Sequence, residues 1–202
     1  EHSLSPKLHN YWIKNNNIEA IYEKQKLNEN QIENIILDVR KKKIKGINVT
    51  VPFKKTVIPH MDLLTNEAKK TQSVNTIYLE NHKIVGHNTD IEGFEMGIKH
   101  LKSYVKNKKI LILGAGGVVS SIVFALNKMK ASEIVISNRT KKKAENLKKL
   151  FKNLKIIEWG DVPEFDMIIN ATSIGLSEDD KINLDFSKVG KNKLFYDVIY
   201  NP

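Results

Sequence analysis

The feature that most constrains this chain is a run of apolar residues followed directly by a cluster of glycines. Lys109 to Leu113 reads Lys-Ile-Leu-Ile-Leu, and Gly114-Ala115-Gly116-Gly117 comes next. A continuous apolar run is typical of a strand buried on both faces of a parallel sheet. Glycines after such a strand allow a tight turn and let backbone N–H groups approach a phosphate at the start of a helix. The sequence therefore predicts a strand, a glycine loop and a helix from about Val118, an arrangement that favours a dinucleotide site.

The match to the dinucleotide fingerprint is incomplete, because Val119 stands where G-x-G-x-x-G has its third glycine. An ordinary turn between a strand and a helix is the alternative. The rest of the second half favours the nucleotide site, since strands alternating with helices predict a doubly wound parallel sheet of the Rossmann type. We predict strands over 133–137, 155–158, 165–169 and 194–199, and a helix over 141–152.

The first half of the chain has a mixed α/β pattern. Ser5-Pro6 predicts the start of a helix, with Ser5 as N-cap and proline in the first turn. Apolar side chains spaced three and four residues apart over 30–42 predict an amphipathic helix. We also predict strands over 19–24 and 46–51, a hairpin of strands 73–80 and 83–87, and a helix over 91–101.

The change of pattern between the halves predicts two domains, a mixed α/β unit over 1–101 and a Rossmann unit over 102–202. Both ends suggest missing sequence. The chain opens at Glu1 immediately before a helix start, and it stops just after a predicted strand. We therefore expect a first strand to precede this sequence and a further segment to follow it.

The net charge of +10 raises the question of a nucleic-acid partner. Only two of the 33 basic residues are Arg, and the lysines are spread over both halves. Phosphate backbones are usually contacted by many Arg side chains, because the guanidinium binds them bidentately. We therefore predict that the chain binds no nucleic acid.

Composition also bears on compartment and metals. No run approaches the roughly 18 apolar residues of a membrane helix, so we predict no membrane partner. The chain has no cysteine and no signal-peptide pattern at its start, which favours the cytoplasm. Its six histidines are scattered without metal-site spacing, so we predict no metal.

The end of the second strand of the Rossmann unit indicates which dinucleotide binds. NAD sites usually have Asp or Glu there to accept from the ribose 2′-OH. Here Ser137 is followed by Asn138-Arg139-Thr140 and by lysines, with no carboxylate. An Arg at this point suits a 2′-phosphate, so the sequence favours NADP; a solvated Arg at a helix start is the alternative.

Several polar motifs occur at the predicted ends of elements. Taken singly, each has a structural alternative: Ser5 as an N-cap, Lys54 as a surface lysine and Asp90 as a helix cap. Together and in this order, the motifs resemble those of shikimate dehydrogenases across the whole chain. They are HSLSP at 2–6, GINVTVPFK at 46–54, SVNT at 73–76, NTD at 88–90, GAGG at 114–117, NRT at 138–140, INATSIG at 169–175 and YDVIYNP at 196–202.

The resemblance implies a hydride transfer between NADP(H) and the pair shikimate and 3-dehydroshikimate, with Lys54 and Asp90 as catalytic residues. It implies substrate contacts from Ser3, Ser5, Thr50, Asn75 and Tyr200, with Asn48 in support. It implies cofactor contacts from Gly114, Ala115, Gly116, Gly117, Val118, Asn138, Arg139, Thr140, Lys143, Thr172 and Val198. In the family a C-terminal helical segment packs back on the first domain, and this sequence lacks that segment and the first strand.

Two positions depart from the family pattern. Val118-Val119-Ser120-Ser121 stands where a small residue and then Arg or Lys often follow the glycine loop, and Lys143 stands where Arg is frequent. The alternatives are a quinate/shikimate dehydrogenase paralogue and a non-catalytic NADP-binding module. Because a binding module does not need both Lys54 and Asp90, we favour the enzyme. We expect it to be a monomer or a homodimer.

Overall fold

The computed structural model describes residues 3–99, 105–177 and 180–199, which form two β-sheets with helices packed against them. The expected α/β class with a Rossmann-type second unit is confirmed. The predicted domain boundary between 101 and 102 lies outside the described residues, as does Tyr200. The division into 1–101 and 102–202 stays a prediction.

The first sheet has four strands in the order β1-β3-β4-β2, with β1, β3 and β4 antiparallel and β2 parallel to β4. The β3–β4 hairpin is confirmed, and its turn residues Asn81 and His82 adopt left-handed φ angles of 48° and 63°, as a tight hairpin turn requires. The elements of this half are α1 (Ser5–Asn15), α2 (Ile32–Arg40), β1 (Gly46–Asn48), β2 (Leu63–Leu64), α3 (Asn66–Thr71), β3 (Thr76–Glu80), β4 (Lys83–His87) and α4 (Asp90–Gly97).

The second sheet has five parallel strands in the order β7-β6-β5-β8-β9. Its elements are β5 (Lys109–Leu113), α5 (Val119–Lys128), β6 (Glu133–Ser137), α6 (Lys141–Leu150), β7 (Lys155–Ile157), β8 (Met167–Asn170) and β9 (Leu194–Asp197). The chain proceeds outward from β5 in one direction and then in the other. Ligands of such sheets bind in the crevice at the carboxyl ends of the strands where this reversal occurs.

Each face of the second sheet is covered differently. One face packs against α5 and α6, and Ile91, Phe94 and Ile98 from α4 and its C-terminal end join the same core. The opposite face is covered by non-helical segments of the described residues, with Ile182 and Phe186 packed against a buried cluster formed by β5, β6, β8 and Phe165. Helix α4 therefore follows the first sheet in sequence but contributes its apolar side chains to the core of the second.

Ser5 does not cap α1, contrary to the sequence prediction. Leu4 holds the N-cap position and is already in the right-handed helical region at φ −81° and ψ −6°. Ser5 is thus the first helical residue, and its backbone N–H donates to Ser3 Oγ at 3.3 Å. Because the helix begins one residue earlier than expected, the side chain that accepts the free N–H is that of Ser3.

The strand predicted over 19–24 is absent from the described structure. Both polar backbone groups of Tyr22 are bonded by one side chain: its N–H donates to Asn10 Oδ1 and its carbonyl accepts from Asn10 Nδ2, each at 2.8 Å. The side-chain amide of Asn10 on α1 thus makes the two backbone hydrogen bonds that a neighbouring strand would make. Strand β1 is also shorter than the predicted 46–51.

Within the described ranges, no helix has the length and apolar character needed to cross a membrane.

Candidate active site

The site is organised around an ion pair between Lys54 and Asp90. Lys54 Nζ lies 2.6 Å from Asp90 Oδ2, and the two side chains are only 13% and 18% exposed. The Lys54 carbonyl accepts the backbone N–H of Val74 at 2.8 Å, which holds the loop after β1 against the first sheet. Asp90 is the first residue of α4. Two oppositely charged groups are thereby held together in a partly buried place, where their interaction is screened less than at the surface.

Asn75 binds the second oxygen of the Asp90 carboxylate. Its Nδ2 donates to Asp90 Oδ1 at 2.8 Å, and its Oδ1 accepts the backbone N–H of Thr89 at 2.9 Å. Thr76 Oγ1 donates to the same Asn75 oxygen at 3.0 Å. Since both carboxylate oxygens are bonded, the orientation of Asp90 is set, and Asp90 in turn directs the Lys54 ammonium.

Asn48 belongs to the same hydrogen-bond network, and it brings in a residue that the sequence reasoning missed. Its Nδ2 donates to Thr76 Oγ1 at 3.3 Å, while its Oδ1 accepts from the hydroxyl of Tyr22 at 3.1 Å. The Tyr22 ring stacks on His9 of α1 with the centroids 4.3 Å apart, and partial burial raises the pKa of Tyr22. The sequence predicted a strand over 19–24, and a strand there gave no reason to expect a hydrogen bond from the Tyr22 hydroxyl to Asn48.

The other described residues predicted to bind the substrate are not part of the hydrogen-bond network around the ion pair. Ser3 and Thr50 are exposed, and in the described structure neither they nor Ser5 form a hydrogen bond to the side chain of Lys54 or Asp90. The Asn10–Tyr22–Asn48 connection ties α1 to the edge of the sheet that carries Asn48. The predicted contact from Tyr200 lies outside the described residues.

The glycine loop lies beside this ion pair. Gly114 has φ +106°, and a Cβ there would come within 2.6 Å of the Ala171 carbonyl oxygen, so only glycine fits between the ends of β5 and β8. At Gly117 a Cβ would be 3.9 Å from Lys54 Cδ. At the exposed Gly116 the nearest atom to such a Cβ, at 3.9 Å, is the Ala171 oxygen. The loop thus leaves its backbone open to a pyrophosphate and brings Lys54 next to it, an arrangement that fits a dinucleotide.

Thr172 and Val198 are positioned through Asn170 at the end of β8. Asn170 Oδ1 accepts from Thr172 Oγ1 at 2.7 Å, and its backbone carbonyl accepts from the N–H of Val198 at 3.1 Å. Asn170 Nδ2 donates to Asp197 Oδ2 at 2.9 Å. Asn170 and Asp197 lie within the INATSIG and YDVIYNP motifs, but sequence reasoning gave neither a role.

Arg139 lies at the end of β6, beside the glycine loop. The Gly114 N–H donates to the Ser137 carbonyl at 2.8 Å, which joins the two strand ends. Asn138 Nδ2 donates to the Thr140 carbonyl at 2.8 Å and shapes the turn into α6. Arg139 is exposed and makes no hydrogen bond or ion pair within the described part of the chain. Its guanidinium is available to an anionic ligand.

The first residues of α6 add positive charge near this turn. Lys143 is exposed, and its backbone N–H donates to the Thr140 carbonyl at 3.0 Å. A carboxylate does lie nearby, on Glu158 after β7, but Lys141 Nζ binds it at 2.5 Å and the pair raises the pKa of Lys141. Lys141 therefore already occupies one oxygen of the Glu158 carboxylate.

Among the residues that the structure describes, no three His, Asp or Glu side chains are grouped so as to hold a metal ion.

Two family models match the chain. The model described as the shikimate dehydrogenase substrate binding domain matches residues 1–77, and that of shikimate / quinate 5-dehydrogenase matches residues 97–183. A shikimate dehydrogenase (NADP⁺) of Pelagibacter ubique is 59% identical over 202 residues, covering 100% of this chain and 76% of that protein.

Solved structures with the same fold carry related names. The crystal structure of shikimate dehydrogenase from Aquifex aeolicus matches with a TM-score of 0.87 at 36% identity, over 98% of this chain and 75% of the other. Shikimate 5-dehydrogenase from Thermus thermophilus, in complex with NADP(H) and shikimate, matches with a TM-score of 0.87 at 29% identity, over 100% of this chain and 76% of the other.

Proposed function

The chain belongs to the shikimate dehydrogenase family, and from that premise we propose that it catalyses the reversible, NADP-dependent reduction of 3-dehydroshikimate to shikimate. This reaction belongs to the biosynthesis of chorismate and the aromatic amino acids. The observation that carries the proposal is the Lys54–Asp90 ion pair, with its 2.6 Å separation, lying next to a glycine loop that can take a pyrophosphate.

The chemistry requires a proton at the oxygen that becomes an alcohol. NADPH, when bound, supplies the hydride to the carbonyl carbon. Lys54 Nζ holds the proton that the developing alkoxide takes up, and in the reverse direction it receives that proton. Asp90 keeps the ammonium oriented, and Asn75 keeps Asp90 oriented through a 2.8 Å hydrogen bond.

We propose that the remaining site residues divide between the two ligands. Ser3, Ser5, Thr50, Asn75 and Tyr200 bind the hydroxyls and carboxylate of the substrate, and Asn48 supports them. The loop from Gly114 to Val118 holds the pyrophosphate, Asn138, Arg139, Thr140 and Lys143 hold the adenosine 2′-phosphate, and Thr172 and Val198 line the nicotinamide. The exposed Arg139, without a protein partner among the described residues, supports this division.

The proposal extends to organisation. Residues 1–101 would form the substrate domain and 102–202 the NADP domain, in a monomer or homodimer. The lack of cysteine supports a cytoplasmic location. The composition of the basic residues, nearly all Lys, supports the absence of a nucleic-acid partner.

Steady-state kinetics on the full-length gene product test the function. Formation of NADPH from NADP⁺, or of NADH from NAD⁺, is followed by absorbance with shikimate or quinate as the substrate, each at saturation. We expect turnover of shikimate with NADP⁺ to dominate. Comparable turnover of quinate would identify the dual-specificity paralogue, whereas NADP⁺ binding without turnover of either acid would identify a binding module.

A further inference from the structure

Asn88 is fully buried between the end of β4 and the start of α4, and its amide joins three parts of the fold. Its Oδ1 accepts the backbone N–H of Asp90 at 2.9 Å. Its Nδ2 lies 3.1 Å from Thr71 Oγ1 and 3.0 Å from the Ser73 carbonyl oxygen. The same Nδ2 lies 3.0 Å from Ser121 Oγ.

These partners require an amide at this position. On one side the Asp90 N–H needs an acceptor, and on the other the Ser73 carbonyl needs a donor. Asparagine supplies both, whereas aspartate would set an oxygen against the Ser73 carbonyl in a buried place where an unsatisfied polar group is costly. The structure therefore fixes which way the Asn88 amide points.

The contact with Ser121 connects the catalytic region to the cofactor loop. Ser121 is fully buried in the first turn of α5, the helix that begins directly after the glycine loop. One hydrogen-bonded step leads from Ser121 to Asn88, and a second leads from Asn88 to the backbone of Asp90. The start of α5 and the start of α4 are thus joined by a single side chain.

Further contacts hold α4 to the second unit. The Phe94 and Tyr196 rings meet edge to face at 5.5 Å, and Glu95 forms an ion pair with Lys128 of α5 at 2.9 Å. These contacts lie at the middle of α4, away from Asp90. Among the hydrogen bonds and ion pairs that join α4 or its entry to α5 in the described residues, only the Asn88–Ser121 contact is next to Asp90.

We propose that Asn88 is a positioning residue that, through Ser121, keeps Asp90 in register with the cofactor loop, so that the Lys54 proton and the hydride are delivered to the same carbonyl group. This inference rests on the proposed function. Removing the Asn88–Ser121 contact therefore slows the chemical step and leaves the affinity for either ligand largely unchanged.

The neighbouring serine provides a matched control. Ser120 is also buried, but its hydroxyl has no hydrogen-bond partner within the described residues. Ser121→Ala and Ser120→Ala remove the same atom from adjacent buried positions of one helix. Ser121→Ala also leaves Asn88 bonded to Asp90, Thr71 and Ser73, so the variant keeps the groups that hold its fold.

The experiment compares kcat, both KM values and the primary deuterium isotope effect for the full-length wild type and the two variants, below their melting temperatures. For Ser121→Ala we expect kcat about tenfold lower, a larger isotope effect and KM values within about twofold. Ser120→Ala should match the wild type. An unchanged kcat in Ser121→Ala, with or without a lower melting temperature, would overturn the inference.

Hydrogen exchange separates this inference from the proposed function. We expect NADP⁺ to slow exchange of the amides from Asp90 to Phe94 in the wild type and in Ser120→Ala, and to do so at least threefold less in Ser121→Ala. Equal protection in all three proteins would overturn the coupling even if shikimate is turned over. A wild type that binds NADP⁺ but does not oxidise shikimate would instead refute the proposed function, and the exchange result would still decide the coupling.

Discussion

Lys54 Nζ and Asp90 Oδ2 lie 2.6 Å apart although the two residues are 36 positions apart in the chain. Lys54 comes from the loop after β1, and Asp90 begins a helix whose apolar side chains belong to the core of the other sheet. The pair therefore sits where the two sheets meet, next to the glycine loop.

Replacing Lys54 with alanine should lower kcat by about 10²- to 10⁴-fold, the usual effect of losing a general acid–base. The affinity for NADP⁺, measured by fluorescence titration, should change little, because Lys54 carries a proton rather than binding the cofactor. Lys55→Ala is the control, since Lys55 is the exposed neighbour. A Lys54→Ala variant with near-normal kcat would remove Lys54 from the mechanism.

Replacing Ser3 with alanine should raise KM for shikimate and leave KM for NADP⁺ unchanged. Ser3 and Ser5 lie at the N-terminus of α1, where hydroxyls and backbone N–H groups favour a carboxylate. Ser3 Oγ accepts only a long 3.3 Å bond from the Ser5 N–H in the described structure, so its proton is available to a ligand. If the KM for NADP⁺ rose instead, this end of the chain would not bind the substrate.

Arg139→Asp should reverse the cofactor preference from NADP to NAD. The substitution removes the partner of the 2′-phosphate, repels it, and supplies an acceptor for a ribose 2′-OH. We expect NADP binding to weaken by about 2–4 kcal/mol. The measurement is the Kd of each cofactor, by fluorescence titration, in the wild type and the variant. Lys149→Asp, a charge reversal at the far end of α6, controls for net charge. A wild type that already prefers NAD would refute the NADP assignment.

Tyr22→Phe should raise KM for shikimate about two- to tenfold, the usual effect of losing one hydrogen bond. The phenol hydroxyl donates to Asn48 at 3.1 Å, and without it the Asn48 side chain keeps, among the described residues, only its hydrogen bond to Thr76. Tyr11→Phe removes a hydroxyl from an exposed residue of α1 and should have no effect. Equal KM values in the two variants would show that the Tyr22 contact does not support the substrate site.

Asp62→Asn should lower the melting temperature near pH 7, with the difference narrowing in acid. Hydrogen bonds from Arg40 and from the Ile84 N–H lower the pKa of Asp62. A carboxylate with a lowered folded-state pKa stabilises the protein above its unfolded value of about 4, and that stabilisation is lost as pH falls through the folded-state pKa. Melting curves from pH 7 to about 2.5 check this. A difference in melting temperature between the wild type and Asp62→Asn that stays constant with pH would mean that ionisation of Asp62 is not involved.

Much of the second unit could be predicted from the sequence, because its signals are local. The buried run before Gly114 predicted β5 with the bounds observed, and the residues after Ser137 indicated NADP without reference to the rest of the fold. In the first unit, apolar periodicity predicted α2, and two strand-like segments on either side of a short turn predicted the β3–β4 hairpin. The signal for each of these elements lies within a few consecutive residues: an apolar run for a strand buried on both faces, glycines for a turn, and apolar spacing for an amphipathic helix. The sequence therefore determined these elements and their order.

The relations between distant residues were decided only by the tertiary structure. Nothing near Tyr22 in the sequence indicates that Asn10 binds its backbone or that its hydroxyl reaches Asn48, and nothing near Asn88 indicates Ser121. Apolar periodicity indicates which side of α4 is buried, but it does not indicate which of the two sheets that side packs against. Hydrogen-bond partners far apart in the chain depend on how complete elements pack, and that packing placed the proton-carrying pair beside the cofactor loop.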